Sequence, residues 1–201
     1  MERIFRKPAP RGRFLGACIT TRTDTNTMKK LNLGCGYDTR EGWVNLDIAQ
    51  IEGVDVIHDL NQLPLPFPDN EFDYVLCSDI LEHMHDYPRL LGEVHRVLKS
   101  GGVVEIRVPH YTYSRAYADP THVRHFSIET LDFFVETTGR PYYFDFSFST
   151  LSEIRLTFLK GLVKPLVAPL VNINRATLLF YEQSFLSGLF PAENIVAKLV
   201  K

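Results

Sequence analysis

The pattern that most narrows the fold of this chain is Leu31-Asn32-Leu33-Gly34-Cys35-Gly36, followed eleven residues later by Asp47 at the end of a second apolar run. A short apolar run that breaks into Gly-x-Gly reads as a buried strand ending in a turn. There the missing side chains let the backbone approach a ligand closely. Val44 to Leu46 repeats the strand signal and delivers the Asp47 carboxylate to the carboxyl end of a strand, where open parallel sheets collect ligands. An acid in that place suits a ribose diol.

Two nucleotide-type alternatives fit less well. A dinucleotide fingerprint needs a third glycine three residues after the second and an acid about 20 residues further on. Thr39 holds the third position and Asp47 comes too soon, and no phosphate-loop lysine follows. At 201 residues, 45% hydrophobic and 23% charged, the chain can bury one full core. The formal charge of -2 is unevenly spread, with six Lys/Arg against two Asp/Glu in residues 1–27 and 16 against 22 in the rest. The mildly acidic remainder is a poor footprint for a nucleic-acid backbone, so no nucleic-acid partner is expected. Cys18, Cys35 and Cys77 form neither a CxxC pair nor an even framework, which points to a reducing, cytoplasmic setting. No run is apolar for long enough to suggest a transmembrane helix.

Residues 1–27 are basic and rich in Pro, Gly and Thr, without periodicity, and are expected to be a disordered leader. From Met28 strands alternate with connectors. Only six residues separate Gly36 from Trp43, too few for an ordinary crossover helix, so that first helix is expected to be vestigial. Val54 to His58 reads as a third strand leading to Asp59-Leu60, where Asp59 either meets a ligand or caps a turn. Pro64 to Pro68 make a stiff loop, and Phe72 to Cys77 is a fourth strand. Asp86 and Pro88 open a helix with Leu91, Val94 and Leu98 on one face, stopped at Ser100-Gly101-Gly102, and Val103 to Val108 is a fifth strand. The next stretch crowds His110, Tyr111, Tyr113, Arg115, Tyr117, Asp119, His122, Arg124 and His125 together without periodicity, a density more typical of function than of packing. Ser127 should cap a further helix with Leu131, Phe134 and Val135 inward and Gly139 as its stop. Tyr142 to Phe158 and Asn194 to Val200 read as strands. Apolar pairs recur every four residues from Phe158 to Val171, with Lys160 and Lys164 on another face. Such a stripe in residues 158–191 suits a membrane surface, a lid or a dimer face, and Pro165 and Pro169 interrupt it.

Several of these segments carry a family resemblance. LNLGCG with NLDI, LPFPDNEFDYV, SDILEH and RVLKSGGVVEIRVP together resemble the class I S-adenosylmethionine-dependent methyltransferases. The short first crossover and DPTHVRHF resemble a compact subgroup with the signature LxLGCGxxxxxGWxNLD. The resemblance implies one α/β domain over residues 28–201. It would be Rossmann-like, with a mostly parallel sheet, an antiparallel C-terminal strand pair and three layers, α/β/α. It implies S-adenosyl-L-methionine as cofactor, held by Gly34, Cys35, Gly36, Asp47, Ile48, Asp59, Leu60, Cys77 and Ser78. By the same resemblance, backbone groups around Cys77 and Ser78 take the amino group of its methionine portion and His83 faces the cleft.

Methyl transfer to a hydroxyl wants a base near neutral pKa, which makes His122 and His83 the candidate catalytic residues. His110, Tyr111, Tyr113, Arg115, Asp119, Arg124 and His125 are the candidates for binding the acceptor, a small molecule or glycan by analogy with the subgroup. Asp119, His122 and His125 have metal-ligand chemistry but no identifiable fourth ligand, so no metal is assigned. The alternative reading is a module that binds the cofactor without catalysis and docks on a membrane or a partner, including a second copy. A nicotinamide-dependent enzyme is the third.

Overall fold

The structure is a computed structural model, described here over residues 28–138, 142–159 and 163–201. The basic leader, the expected stop at Gly139 and the 160–162 part of the apolar stripe lie outside the described residues. Seven strands form one sheet: β1 (Lys30–Leu33), β2 (Val44–Asp47), β3 (Val56–Ile57), β4 (Phe72–Ser78), β5 (Leu98–Pro109), β6 (Thr150–Phe158) and β7 (Ala192–Val200). Their spatial order is β3-β2-β1-β4-β5-β7-β6. The pairings from β3 to β5 are parallel, and β7 inserts antiparallel between β5 and β6. The chain leaves β1 toward β2 on one side and returns to β4 on the other. The loops after β1 and β4 therefore diverge at their carboxyl ends and open a crevice.

Register explains where the core lies. Leu31, Leu33, Leu46, Val75, Cys77, Val104, Ile106, Val108, Ile195, Ala197 and Leu199 share one face of the sheet. All are buried in a single cluster with Leu90, Leu91 and Val94 of helix α1 (Tyr87–Val97) and with Phe126 and Leu131. Each such side chain is worth about 1.5–3 kcal/mol of transfer free energy when taken from water. Asp86 caps α1 by accepting from the Arg89 amide at 3.3 Å, as its sequence predicts.

The opposite face is mixed, with Lys30, Asn32, Asn45, Tyr74, Glu105, Lys198 and Glu153 beside the buried Leu76 and Val196, and none of these joins that cluster. Lys198 pairs with both Glu153 and Glu105, and the Tyr74 hydroxyl donates to Glu105. The full second helical layer of the expected α/β/α arrangement is therefore reduced among the described residues. Its physical cause lies in the first two crossovers, which leave no room for the helices that right-handed connections would deposit there. Side chains of the sheet do their work instead. Asn32 Nδ2 donates to the Asp38 carbonyl at 2.7 Å, while Asn45 accepts from the Arg40 amide at 2.9 Å and donates to the Arg40 carbonyl at 3.1 Å. Trp43 closes over them, edge-on to Tyr74 and with Lys30 and Arg40 on its ring faces.

Three other expectations change. The segment after Ser127 forms a 3-10 turn at Thr130–Phe134 rather than an α-helix. Of Tyr142 to Phe158, only Thr150–Phe158 is strand; upstream, Phe144 and Phe146 stack on Phe134 at 4.7 and 6.0 Å. Burying those rings against the turn wins over sheet pairing. The 158–191 segment folds into α3 (Val163–Val171), α4 (Arg175–Glu182) and α5 (Leu186–Leu189). Asn172, at the end of α3, lies along the edge strand, where its Oδ1 accepts from the Leu156 amide at 2.7 Å and its Nδ2 donates to the Leu156 carbonyl at 2.9 Å.

Candidate active site

The turn after β1 holds Gly34 at φ +61° and Gly36 at φ +49°, conformations that L side chains rarely adopt. A Cβ on Gly34 would stand 2.0 Å from Ile80 Cδ1, whereas the space beside Gly36 is open. Asp47 Oδ2 accepts from the Gly36 amide at 2.7 Å and Oδ1 from the Ala49 amide at 2.8 Å. These bonds aim the carboxylate and leave each oxygen a further acceptor site for a diol. Ile48, 66% exposed, offers an apolar surface beside it. The glycine turn, the carboxylate and the open space fit a nucleoside-bearing cofactor.

The remaining expected cofactor contacts divide. Asp59 Oδ1 accepts from both the amide and the side chain of Asn61, at 2.9 and 3.0 Å, and those bonds hold its carboxyl below the ordinary range. This is the turn-capping role that its sequence left open. Leu60 is buried in the core and Cys77 is fully buried, its thiol pushed up to about 12 by desolvation, so only their backbone could reach a ligand. Ser78 donates to Asp79, which adopts φ +56° and pairs with Arg107.

Beyond the β4 end lies a cleft of roughly 510 Å³ bounded by Asp79, Glu82, His83, Arg107, Tyr113, Arg115, Asp119, His122, Glu193 and Asn194, with Pro109 and Ala118. A 3-10 turn at Leu81–His83 and the DPTH loop build it together. The Val123 and Arg124 amides donate to the Glu82 carbonyl at 2.8 and 3.2 Å, which locks loop to turn. The His83 and His122 rings then meet edge to face, 4.7 Å apart. Glu82 is 1% exposed, yet among the described residues neither carboxylate oxygen has a hydrogen-bond partner. Desolvation, aided by Asp79 and Asp119, pushes its pKa up to about 8.

Hydrogen bonds fix both imidazoles. His122 Nδ1 lies 3.0 Å from the Ala116 carbonyl, which can only accept, so Nδ1 carries a proton, and Nε2 stands 3.9 Å from Asp119 Oδ2. Thr121 Oγ1 donates to Asp119 at 2.6 Å and so accepts from His83 Nδ1 at 2.9 Å, which puts a proton on that nitrogen as well.

The structure thus brings His83, Tyr113, Arg115, Asp119 and His122 to one cleft and places four other candidates outside it. His110 is fully buried; its Nε2 donates to Glu182 Oε1 at 2.8 Å while its Nδ1 receives the Thr112 amide at 3.3 Å. Tyr111 spends its hydroxyl on the Glu182 carbonyl, Arg124 donates to the His85 carbonyl, and His125 stacks on Tyr117 at 4.3 Å. None of these four lines the cleft, which also dissolves the trio of Asp119, His122 and His125. Sequence reasoning missed Asp79, Glu82, Arg107, Glu193 and Asn194. Glu82 was legible as the acid of the LEH motif. Asn194 was not, because it arrives only through its antiparallel pairing with Pro109.

Comparison with known proteins fits this geometry. Residues 31–106 match the family described as Methyltransferase domain. A demethylmenaquinone methyltransferase of Listeria welshimeri is 48% identical over 54 residues, 27% of this chain and 22% of that protein. One from Geobacillus stearothermophilus is 47% identical over 53 residues, again 22% of its length. The chain thus matches about a fifth of the length of these curated relatives. A SAM dependent methyltransferase from Archaeoglobus fulgidus superimposes with a TM-score of 0.58 at 20% identity, covering 88% of this chain and 87% of the other. A putative methyltransferase from Bacillus halodurans C-125 gives 0.57 at 18%, covering 87% and 92%. Residues 31–106 thus match a methyltransferase domain model, and the chain shares the Rossmann-like fold of these solved structures.

Proposed function

We propose that this protein is an S-adenosylmethionine-dependent methyltransferase acting on a hydroxyl of a sugar or other polar small molecule. The observation that carries the reading is a glycine turn braced by Asp47 at the carboxyl end of β1 and, beyond the carboxyl end of the neighbouring β4, a polar cleft in which the His83 and His122 rings meet. The cofactor supplies an electrophilic methyl group. This chain's part is to align acceptor and methyl, a contribution worth about 7–11 kcal/mol in well-oriented systems, and to receive the acceptor's proton.

Gly34, Gly36 and Asp47 hold the adenosyl portion in this reading, and backbone at Cys77 and Ser78 the methionine portion. Tyr113, Arg115, Arg107 and Asn194 surround the acceptor, and His122 Nε2 takes its proton, with His83 as its neighbour. The polar lining supports a hydroxylated acceptor over the quinone named for the partial relatives, which would need apolar walls. The test is a screen of hydroxylated acceptors with methyl-labelled cofactor, followed by His122→Ala on the best one. Turnover should fall by about 10²–10⁴-fold with cofactor binding retained. Label found only on amines, or undiminished turnover in the variant, overturns the hydroxyl reading.

A second reading, a cofactor-holding module that docks through an apolar face, draws on Leu166, Leu170, Ile173, Phe180, Phe185 and Leu189, each more than three-fifths exposed. No helix among the described residues is long and apolar enough to cross a membrane. Such a module would have no turnover for His122→Ala to remove.

A further inference from the structure

We propose that Glu82, His83 and His122 form a site for one divalent transition-metal ion of the zinc type, on the acceptor side of the cleft. One ligand atom from each of the three lies within 4.8 Å of the others. Around zinc bonded at about 2.0–2.2 Å, tetrahedral ligand atoms stand about 3.3 Å apart, so small rotations of three side chains close the set. Two histidines and one glutamate are a ligand set of catalytic zinc, which keeps a further position open.

Two independent features single this cluster out from an ordinary polar pocket. The first is Glu82. A carboxylate that is 1% exposed and makes no hydrogen bond is costly to bury, and a cation against it removes that cost. Among the described residues no arginine or lysine forms an ion pair with it, and Arg107, which lines the same cleft and acts on Glu82 electrostatically, is paired with Asp79. The second is the hydrogen bonding behind the rings. Both histidines spend Nδ1 on an acceptor, His122 on the Ala116 carbonyl and His83 on Thr121, whose own proton goes to Asp119. Ligating histidines commonly have one ring nitrogen held in this way by a carbonyl or a carboxylate relay, which fixes the ring and leaves the other nitrogen for the metal.

The site shares His83 and His122 with the methyl-transfer reading, and its use in catalysis rests on that reading: with a metal bound His122 would be a ligand rather than the base, and the metal would bind the acceptor oxygen and lower its pKa, the proton leaving to solvent. Metal binding itself does not rest on it. The whole chain, stripped with a chelator, is titrated with Zn²⁺ in competition with a chromophoric chelator and with Co²⁺ by visible absorption. The wild type should bind one equivalent and show tetrahedral or five-coordinate cobalt bands. Glu82→Gln, His83→Ala and His122→Ala should each weaken binding at least tenfold, and Thr121→Val, which touches only the relay, by about ten- to a hundredfold. Folding of each variant is checked by its thermal transition, with Thr121→Val as the mildest. Asp47→Ala should weaken cofactor binding and keep the metal.

Absence of a saturable equivalent in the wild type overturns the site, as does unchanged affinity in the His83→Ala/His122→Ala double variant. Zinc binding without cofactor binding would sink the methyltransferase reading and leave this one standing. Cofactor binding and methyl transfer by a chain that takes no metal would do the reverse.

Discussion

Asp47 shows how much one side chain is asked to do. It ties Gly36 and Ala49 to a single carboxylate, so Asp47→Ala removes a ligand contact and the brace of the glycine turn together. Hydrogen bonds to a charged group are worth about 1.5–3 kcal/mol. Calorimetric titration should accordingly show S-adenosylmethionine binding weakened about ten- to a hundredfold. The buried thiols give a second expectation. Desolvation pushes Cys77 up to about 12 and, together with Asp47, raises Cys35, so both stay protonated in the folded chain. Alkylation at pH 8 followed by peptide mapping should leave both unlabelled until denaturant is added. The sign for stability follows. The unfolded thiol ionises near its ordinary value of about 8.5, so the contribution is intact below that pH and is lost as pH rises toward 12. What was readable at this scale was residue type next to a strand end: Gly34, Gly36, Asp47, His83 and His122 all stood out. His110 misled because polarity in an unpatterned loop says nothing of direction, and this ring turns inward to Glu182.

Among the elements, the short connection from β1 to β2 is the most informative. Its brevity was visible in the sequence, and so was the loss of a helix. That Asn32 and Asn45 take over was not visible, since an asparagine in a strand looks like a defect until its loop partners are placed. Asn45→Ala should leave the Arg40 amide and carbonyl without these partners and the Asp55 carboxylate with one fewer. At about 1–3 kcal/mol for a buried group left unpaired, the unfolding free energy from urea titration should fall by an amount in that range, with a lowered midpoint. Strands were legible wherever an apolar run met glycine. The 3-10 turn at Thr130–Phe134 was not, because helical spacing of Leu131 and Phe134 is also what one tight turn against a core supplies.

Across the whole molecule, the His110–Glu182 pair joins the loop after β5 to α4 over a sequence gap that no local pattern reveals. Glu182 Oε1 also accepts from the Ile128 amide at 3.0 Å, so one carboxylate holds both ends of the segment that carries His122. Glu182→Ala should lower stability by about 2–5 kcal/mol, from two buried donors left unpaired, and should lower turnover as well. Glu182→Gln keeps an acceptor at the same place and should recover most of both, as measured by thermal unfolding beside the methylation assay. The seventh strand likewise belongs to this scale, since its neighbours are decided by antiparallel registers spanning about half the chain.

Asn172 has a consequence for company as well as for packing. By imitating the backbone of a missing neighbour at Leu156, its amide group blocks the place where another chain would zip on. Strand-to-strand addition of a second copy along β6 is thereby obstructed at Leu156. Asn172→Ala, which uncovers that rung, should add a concentration-dependent larger species in light scattering.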